Sequence, residues 1–170
     1  MKSVTIEPGI EEIGDNAFYN TNLRTMVIPE GVKSIGERAF ERCFSLREVY
    51  LPSTLKSIGK DAFYYCSSLN KVVCFMVEPY PIDKHTFSVK KNNRDEFTTA
   101  TLYVPVGTKE RYQAKEGWKE FTNIMEFDPT SIHNFKMEKV APCIYNLNGQ
   151  RLQEPHKGII IKGGKKYMVK

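Results

Sequence analysis

The sequence predicts a mainly β protein: a β-solenoid of about five coils with a 22–24-residue period, a short capping helix and a C-terminal antiparallel β-hairpin module. Three observations predict it. The segment SIGERAFERCFSL, residues 34–46, returns as SIGKDAFYYCSSL, residues 57–69, with eight of thirteen positions identical at an offset of 23. Ile-Gly pairs stand at Ile13, Ile35 and Ile58, each with a Phe five residues on, at Phe18, Phe40 and Phe63. A weaker fourth copy holds Ile82 and Phe87, so the spacings run 22, 23 and 24. After each Ala-Phe comes Leu-x-x-apolar-x-apolar, beginning at Leu23, Leu46 and Leu69. A fixed period of this length means that each copy is one coil, unable to bury its apolar side until it stacks on a neighbour.

Within one coil the Leu segment reads as a short strand, closed by Pro29 and Pro52 in the first two copies. The Ile-Gly pair reads as a bend, where Gly serves either a positive φ or a close approach between coils. The Ala-Phe pair reads as a compact turn in which Ala permits approach and Phe fills the interior. Cys43 and Cys66 occupy the same place in successive coils and read as buried core thiols, with a disulfide as the alternative.

These residues in phase, in IPEGVKSIGERAFERCFSLREVYLP and LPSTLKSIGKDAFYYCSSLNKV, resemble the BspA-type leucine-rich repeat of Bacteroidetes and treponemal surface proteins. The resemblance is clear over residues 1–75 and looser over 76–127. It implies a leucine-rich-repeat solenoid, in which Asn or Cys commonly fills the inward turn.

The fourth copy departs from the pattern, with Asp83 in place of Gly and Thr86 in place of Ala. It also carries a polar insert at residues 90–96, read as a protruding loop. The strand pattern resumes at residues 101–105, TLYVP. Residues 108–116 read as a short helix with Thr108 as N-cap, Glu110 in the first turn and Gly117 as the stop. Trp118, Phe121 and Ile124 follow, and with the helix they form the expected cap of the solenoid's open end. A ligand pocket around Trp118 is the alternative.

The expected domains are 1–127 for the repeats and cap, 128–139 for a linker, and 140–170 for a small antiparallel module. In that module, Asn148-Gly149 and Gly163-Gly164 read as turns of two hairpins forming one sheet. YNLNGQRL and KGIIIKGGKKYMVK resemble the C-terminal domain that ends many secreted Bacteroidetes proteins. The resemblance implies outer-membrane export and attachment machinery as a partner of the tail.

Composition narrows the function classes. The chain of 170 residues is 41% hydrophobic and 26% charged, enough to bury a core. No run of eighteen apolar residues occurs, and MKSVTIEPG lacks the apolar region of a signal peptide. The protein is then either cytosolic or trimmed at its front, and repeats that begin at residue one favour trimming. The expected location is the extracellular space or the outer-membrane surface. The uncapped first coil offers a route to homo-association. The net charge is +5, and residues 136–170 alone hold eight Lys or Arg against two Glu.

Chemistry finds little footing. The four cysteines have no CxxC spacing, and His85, His133 and His156 lie far apart. Neither GxSxG, HExxH nor a P-loop occurs. Paired carboxylates, Glu11-Glu12 and Asp95-Glu96, fall on expected turns or loops. No enzyme activity, metal or cofactor is expected, and no nucleic-acid partner, because the basic stripe is too sparse.

Binding has better grounds. Along each strand the first, fourth and sixth residues of the Leu segment point inward, and the second, third and fifth point out. The fifth-position column is Thr5, Val27, Tyr50, Val73 and Tyr103. The second is Lys2, Arg24, Arg47 and Asn70, and the third is Ser3, Thr25, Glu48 and Lys71. The candidate contact residues are therefore Arg24, Val27, Arg47, Glu48, Tyr50, Lys71, Val73 and Tyr103. An apolar stripe with two tyrosines beside basic groups suits a protein or glycan ligand. The resemblance implies adhesion or binding of a host extracellular protein. A spacer or stalk, or a glycan-capturing accessory protein, are the alternatives.

Overall fold

The computed structural model describes residues 3–7 and 9–129, together with four strands of the C-terminal tail. Each coil contributes a strand to a six-stranded parallel sheet. Its strands are β1 (Ser3–Thr5), β3 (Thr25–Val27), β5 (Glu48–Leu51), β7 (Lys71–Cys74), β10 (Thr101–Pro105) and β11 (Ile124–Phe127), in that order. The register keeps equivalent residues level. Met26 lies opposite Val49, Val49 opposite Val72, Val72 opposite Leu102 and Leu102 opposite Ile124. The sixth strand was not expected: residues 124–127 add a strand where the sequence predicts only cap aromatics.

The Ile-Gly bends form a second parallel ladder of β2 (Glu12–Ile13), β4 (Ser34–Ile35) and β6 (Ser57–Ile58). Their glycines serve close approach, not positive φ. A Cβ on Gly36 would lie 2.5 Å from the Asp15 nitrogen, and one on Gly59 the same distance from the Glu37 nitrogen. Gly14, in the first coil, has open space there. The positive φ angles fall instead in the Ala-Phe turns, at Asn16, Asn20, Arg38, Arg42, Asp61 and Tyr65.

Those turns stack by hydrogen bonds from coil to coil. Phe18 N donates to Ala39 O at 2.7 Å, Phe40 N to Ala62 O at 2.8 Å and Phe63 N to Thr86 O at 2.9 Å. Within them the phenyl rings of Phe18, Phe40, Phe63 and Phe87 form a column with steps of 5.0, 5.0 and 5.1 Å, nearly parallel throughout. The degenerate fourth copy thus keeps its ring in line. Ala39 and Ala62 are fully buried beside this column, as are Leu46, Val49 and Leu51 of the neighbouring strand segment.

Cys43 and Cys66 are buried free thiols, as is Cys74. Cys43 Sγ donates to Phe18 O at 3.1 Å, and Cys66 Sγ repeats the bond one coil later to Phe40 O at 3.2 Å. Burial holds the Cys66 thiol well above its ordinary value.

The polar insert is a hairpin, not a loop: β8 (Ser88–Lys91) pairs antiparallel with β9 (Arg94–Phe97). Asn92 and Asn93, at φ 51° and 60°, form its two-residue turn, the backbone that a tight hairpin of this hand needs. Asp95 and Glu96 therefore lie on a strand, and so does Glu12, rather than on loops.

Past β10 the chain makes helix α1 (Lys109–Gln113), shorter than expected, and a 3₁₀ turn at Trp118–Glu120. Thr108 is not the side-chain cap. Its hydroxyl turns back to Pro105 O at 2.7 Å, and the Glu126 carboxylate reaches over from β11 to accept from the Gly107 and Lys109 nitrogens, at 2.9 and 3.0 Å. Trp118 is fully buried against Tyr112, Phe87 and Phe121, and its Nε1 donates to Tyr80 O at 2.8 Å. With no exposed surface, it closes the core. Gly117, at φ 79°, sits so close to Ile82 that a Cβ would meet it at 2.4 Å.

In the tail, β12 (Ile144–Tyr145) pairs antiparallel with β13 (Arg151–Leu152), and β14 (Gly158–Lys162) with β15 (Lys165–Val169). Among the described residues these form two ladders. The Asn148-Gly149 and Gly163-Gly164 turns, Cys143 and the linker from residue 130 onward lie outside the described residues, as do Lys2, His133 and His156. Among the described residues no helix is long and apolar enough to cross a membrane.

Candidate functional site

The outward face of the six-stranded sheet carries the candidate residues. Strand pleat decides which they are, because alternate side chains must leave the core. The strands read half-buried, buried, half-buried in β3 and β5, so Thr25, Val27, Glu48 and Tyr50 face out. Arg24 and Arg47, just before their strands, are exposed and adjacent, with Arg47 N donating to Arg24 O at 2.8 Å.

The fifth-position column assembles as a row. Val27 lies opposite Tyr50, Tyr50 opposite Val73 and Val73 opposite Tyr103. The row runs on to Met125, itself 49% exposed. Met125 escaped sequence reasoning because Phe121 stands where the pattern has Leu, three positions before the first apolar residue of NIMEF. The signal that finds it is the 22-residue step from Tyr103.

Tyr50, Lys71, Val73 and Tyr103 come together as one cluster. The Lys71 ammonium lies 5.6 Å from the Tyr50 ring centroid and 5.3 Å from that of Tyr103. Two aromatic faces on strands either side of β7 thus hold one cation between them, an attraction of the ring quadrupole for positive charge. Val73, between the two tyrosines, is only 3% exposed. At that burial it offers a ligand almost no surface, so Val73 belongs to the floor between the two tyrosines and not, as expected, to the contact residues.

The Tyr50 hydroxyl donates to Glu48 Oε2 at 2.8 Å. Burial first, and then the neighbouring carboxylate, hold that phenol well above its ordinary value, so it stays a donor at any physiological pH. Glu48 is thereby engaged within the face. Glu48 also lies opposite Lys71 across the two strands, and the exposed cations beside this pair are Arg24 and Arg47.

The remaining chemistry is sparse. Glu11 is paired with Lys33 at 2.8 Å. Among the described residues no three His, Cys, Asp or Glu side chains group as a metal site. A parallel-sheet solenoid of this kind is typically a binding scaffold.

Residues 1–94 match the family model of the BspA type leucine rich repeat region, in six copies. No curated protein and no solved structure matches the chain. The match spans more than half of the sequence and coincides with the stacked Ile, Phe and Leu positions, so this chain belongs to the BspA-type leucine-rich repeat family.

Proposed function

We propose that the protein is a non-enzymatic binding protein of a cell surface or secreted fraction, acting in adhesion or in capture of a protein ligand. Proteins of this family commonly mediate surface adhesion or protein interaction. The observation that carries the reading is the Tyr50–Lys71–Tyr103 slot on an uninterrupted sheet face. Rings that flank Lys71 restrict its motion, so this part of the face is ordered before a ligand arrives and less entropy is lost on binding. Arg24 and Arg47 extend the positive character across two further strands, and Val27 and Met125 supply apolar contact. An acidic protein surface fits this combination. Residues 140–170 serve, in the same reading, as a sorting or attachment tail of a Bacteroidetes protein, for which the YNLNGQRL and KGIIIKGGKKYMVK resemblance is the support.

A panel of immobilised extracellular-matrix proteins tests the face. Binding is expected to fall at least tenfold in an Arg47→Ala/Tyr50→Ala double variant, and to weaken as salt rises above about 0.15 M. Affinity that survives both changes places the contact elsewhere. Deleting residues 140–170 is expected to abolish surface display, and normal display of the shortened chain refutes the sorting role.

A further inference from the structure

A second site lies away from the sheet, on the stacked Ala-Phe turns. Three coils contribute two residues each: Asn16 and Tyr19, Arg38 and Glu41, Asp61 and Tyr64. They line an open groove of about 400 Å³. The first of each pair stands three residues after the coil's Ile and the second six after it, so the groove is a grid written by the repeat. The core-facing letters of these turns are nearly constant. These outward letters all differ between coils, apart from the two tyrosines.

The grid has a definite chemistry. Tyr19 and Tyr64 share one column two coils apart, roughly 10 Å at the usual strand spacing, with Glu41 between them. Tyr19 is 39% exposed. Tyr64 is braced from the side, its hydroxyl donating to Asp95 Oδ1 of the hairpin at 2.7 Å. Beside that column run a carboxamide, a guanidinium and a carboxylate. Arg38 Nε stands 3.5 Å from both Glu37 and Glu41, and Arg42 Nε stands 3.5 Å from Glu41 on its other side, so two guanidinium groups flank that carboxylate. In all three coils the first residue of the pair holds a left-handed backbone, at φ 55°, 54° and 58°.

We infer that this groove binds a neutral oligosaccharide, with Tyr19 and Tyr64 as stacking platforms and Asn16, Arg38, Glu41 and Asp61 as hydroxyl partners. A pyranose has one face of polarised C–H groups, which suits the negative face of a phenol ring, and an edge of hydroxyls that both donate and accept. The four planar polar side chains supply both senses of hydrogen bond. Size argues for a small ligand: the groove is on the scale of a small-molecule site, whereas a protein partner needs about 800 Å² per side. Charge argues for a neutral one. With the groups in contact with its lining, Arg38 and Arg42 stand against Glu37, Glu41, Asp61 and Asp95, a balance of −2 that repels the acidic ligand suited to the sheet face.

The test is titration of the full chain with neutral gluco-, galacto- and manno-oligosaccharides of four to six units, followed by calorimetry and by amide shifts. Sialylated and sulfated glycans and an oligolysine peptide serve as comparison probes. At least one neutral series is expected to bind, with affinity falling tenfold or more in Tyr19→Ala and in Tyr64→Ala, and clearly in Asp61→Asn. The Arg47→Ala/Tyr50→Ala variant is expected to bind the same sugar unchanged, which separates this site from the sheet face. Circular dichroism confirms that each variant is folded. No neutral binding at millimolar sugar overturns the inference. So does binding indifferent to both tyrosine changes, or binding of the acidic glycans or oligolysine alone.

Discussion

At the scale of single residues, Gly59 and Gly14 occupy one position of the repeat and meet opposite surroundings. A Cβ on Gly59 would strike the backbone of the coil below, at 2.5 Å from Glu37 N and 2.6 Å from Gly36 C, and backbone cannot step aside. Gly14 has nothing within 4 Å. Gly59→Ala is therefore expected to destabilise the protein by about 1–3 kcal/mol, the cost of overpacking, while Gly14→Ala is neutral or slightly stabilising through the unfolded chain. Urea midpoints of the two variants check this directly.

Cys74 gives a pH signature. Burial pushes its thiol up to about 11 from the usual 9.0, partly offset by hydrogen bonds from the Tyr112 hydroxyl and the Met76 backbone. Unfolded, the thiol ionises near 9.0; folded, it keeps its proton until about 11. Its contribution is thus fully present below pH 9 and is lost as pH rises to 11, on the order of 2–3 kcal/mol. Thermal melts are expected to fall steeply across that window, and less steeply in Cys74→Ala.

At the scale of elements, α1 is held at its start by a residue from another element. Glu126 accepts from the Gly107 and Lys109 nitrogens, so it supplies both the cap and an anion at the helix's positive end. Glu126→Ala is expected to cost about 0.5–2 kcal/mol by chemical denaturation. Thr108→Val is expected to loosen the Pro105 turn instead, because its hydroxyl never faces the helix. Sequence reasoning chose Thr108 because an N-cap is a local pattern, whereas Glu126 lies 17 residues from the nitrogen it caps. The hairpin was hidden for a similar reason. Its turn is Asn92-Asn93, with no glycine to mark it, and its strands are charged on both faces. The stacked strands were legible because Ile, Phe and Leu keep phase for three coils. The slot's residues were legible for the same reason, as columns. What the columns omit is depth: that Val73 sinks between two larger residues, and that the Lys71 ammonium reaches both rings, depends on side-chain length across strands.

At the scale of the whole molecule, stability comes from repetition of one interface. Phe40 is fully buried, with rings 5.0 Å away on either side. Phe40→Asp places an unpaired charge in that column and is expected to unfold the coils on both sides of it. The milder Phe40→Ala is expected to cost about 3–5 kcal/mol while leaving the fold intact. A soluble Phe40→Asp protein with a native circular dichroism spectrum would sink the stacked-column account.

The phenyl column has a consequence for how such a chain evolves. Every ring meets the next at 5.0 or 5.1 Å and nearly parallel, even where the fourth coil has lost its Ile-Gly and Ala-Phe pairs. Any two coils present each other with the same mating surface. Duplication of a whole coil within the stack would leave the joints on either side chemically unchanged. The outward letters of the new coil would then drift without touching the fold. A ruler of this kind adjusts its reach in steps of one strand, and it acquires new surfaces faster than it risks its core.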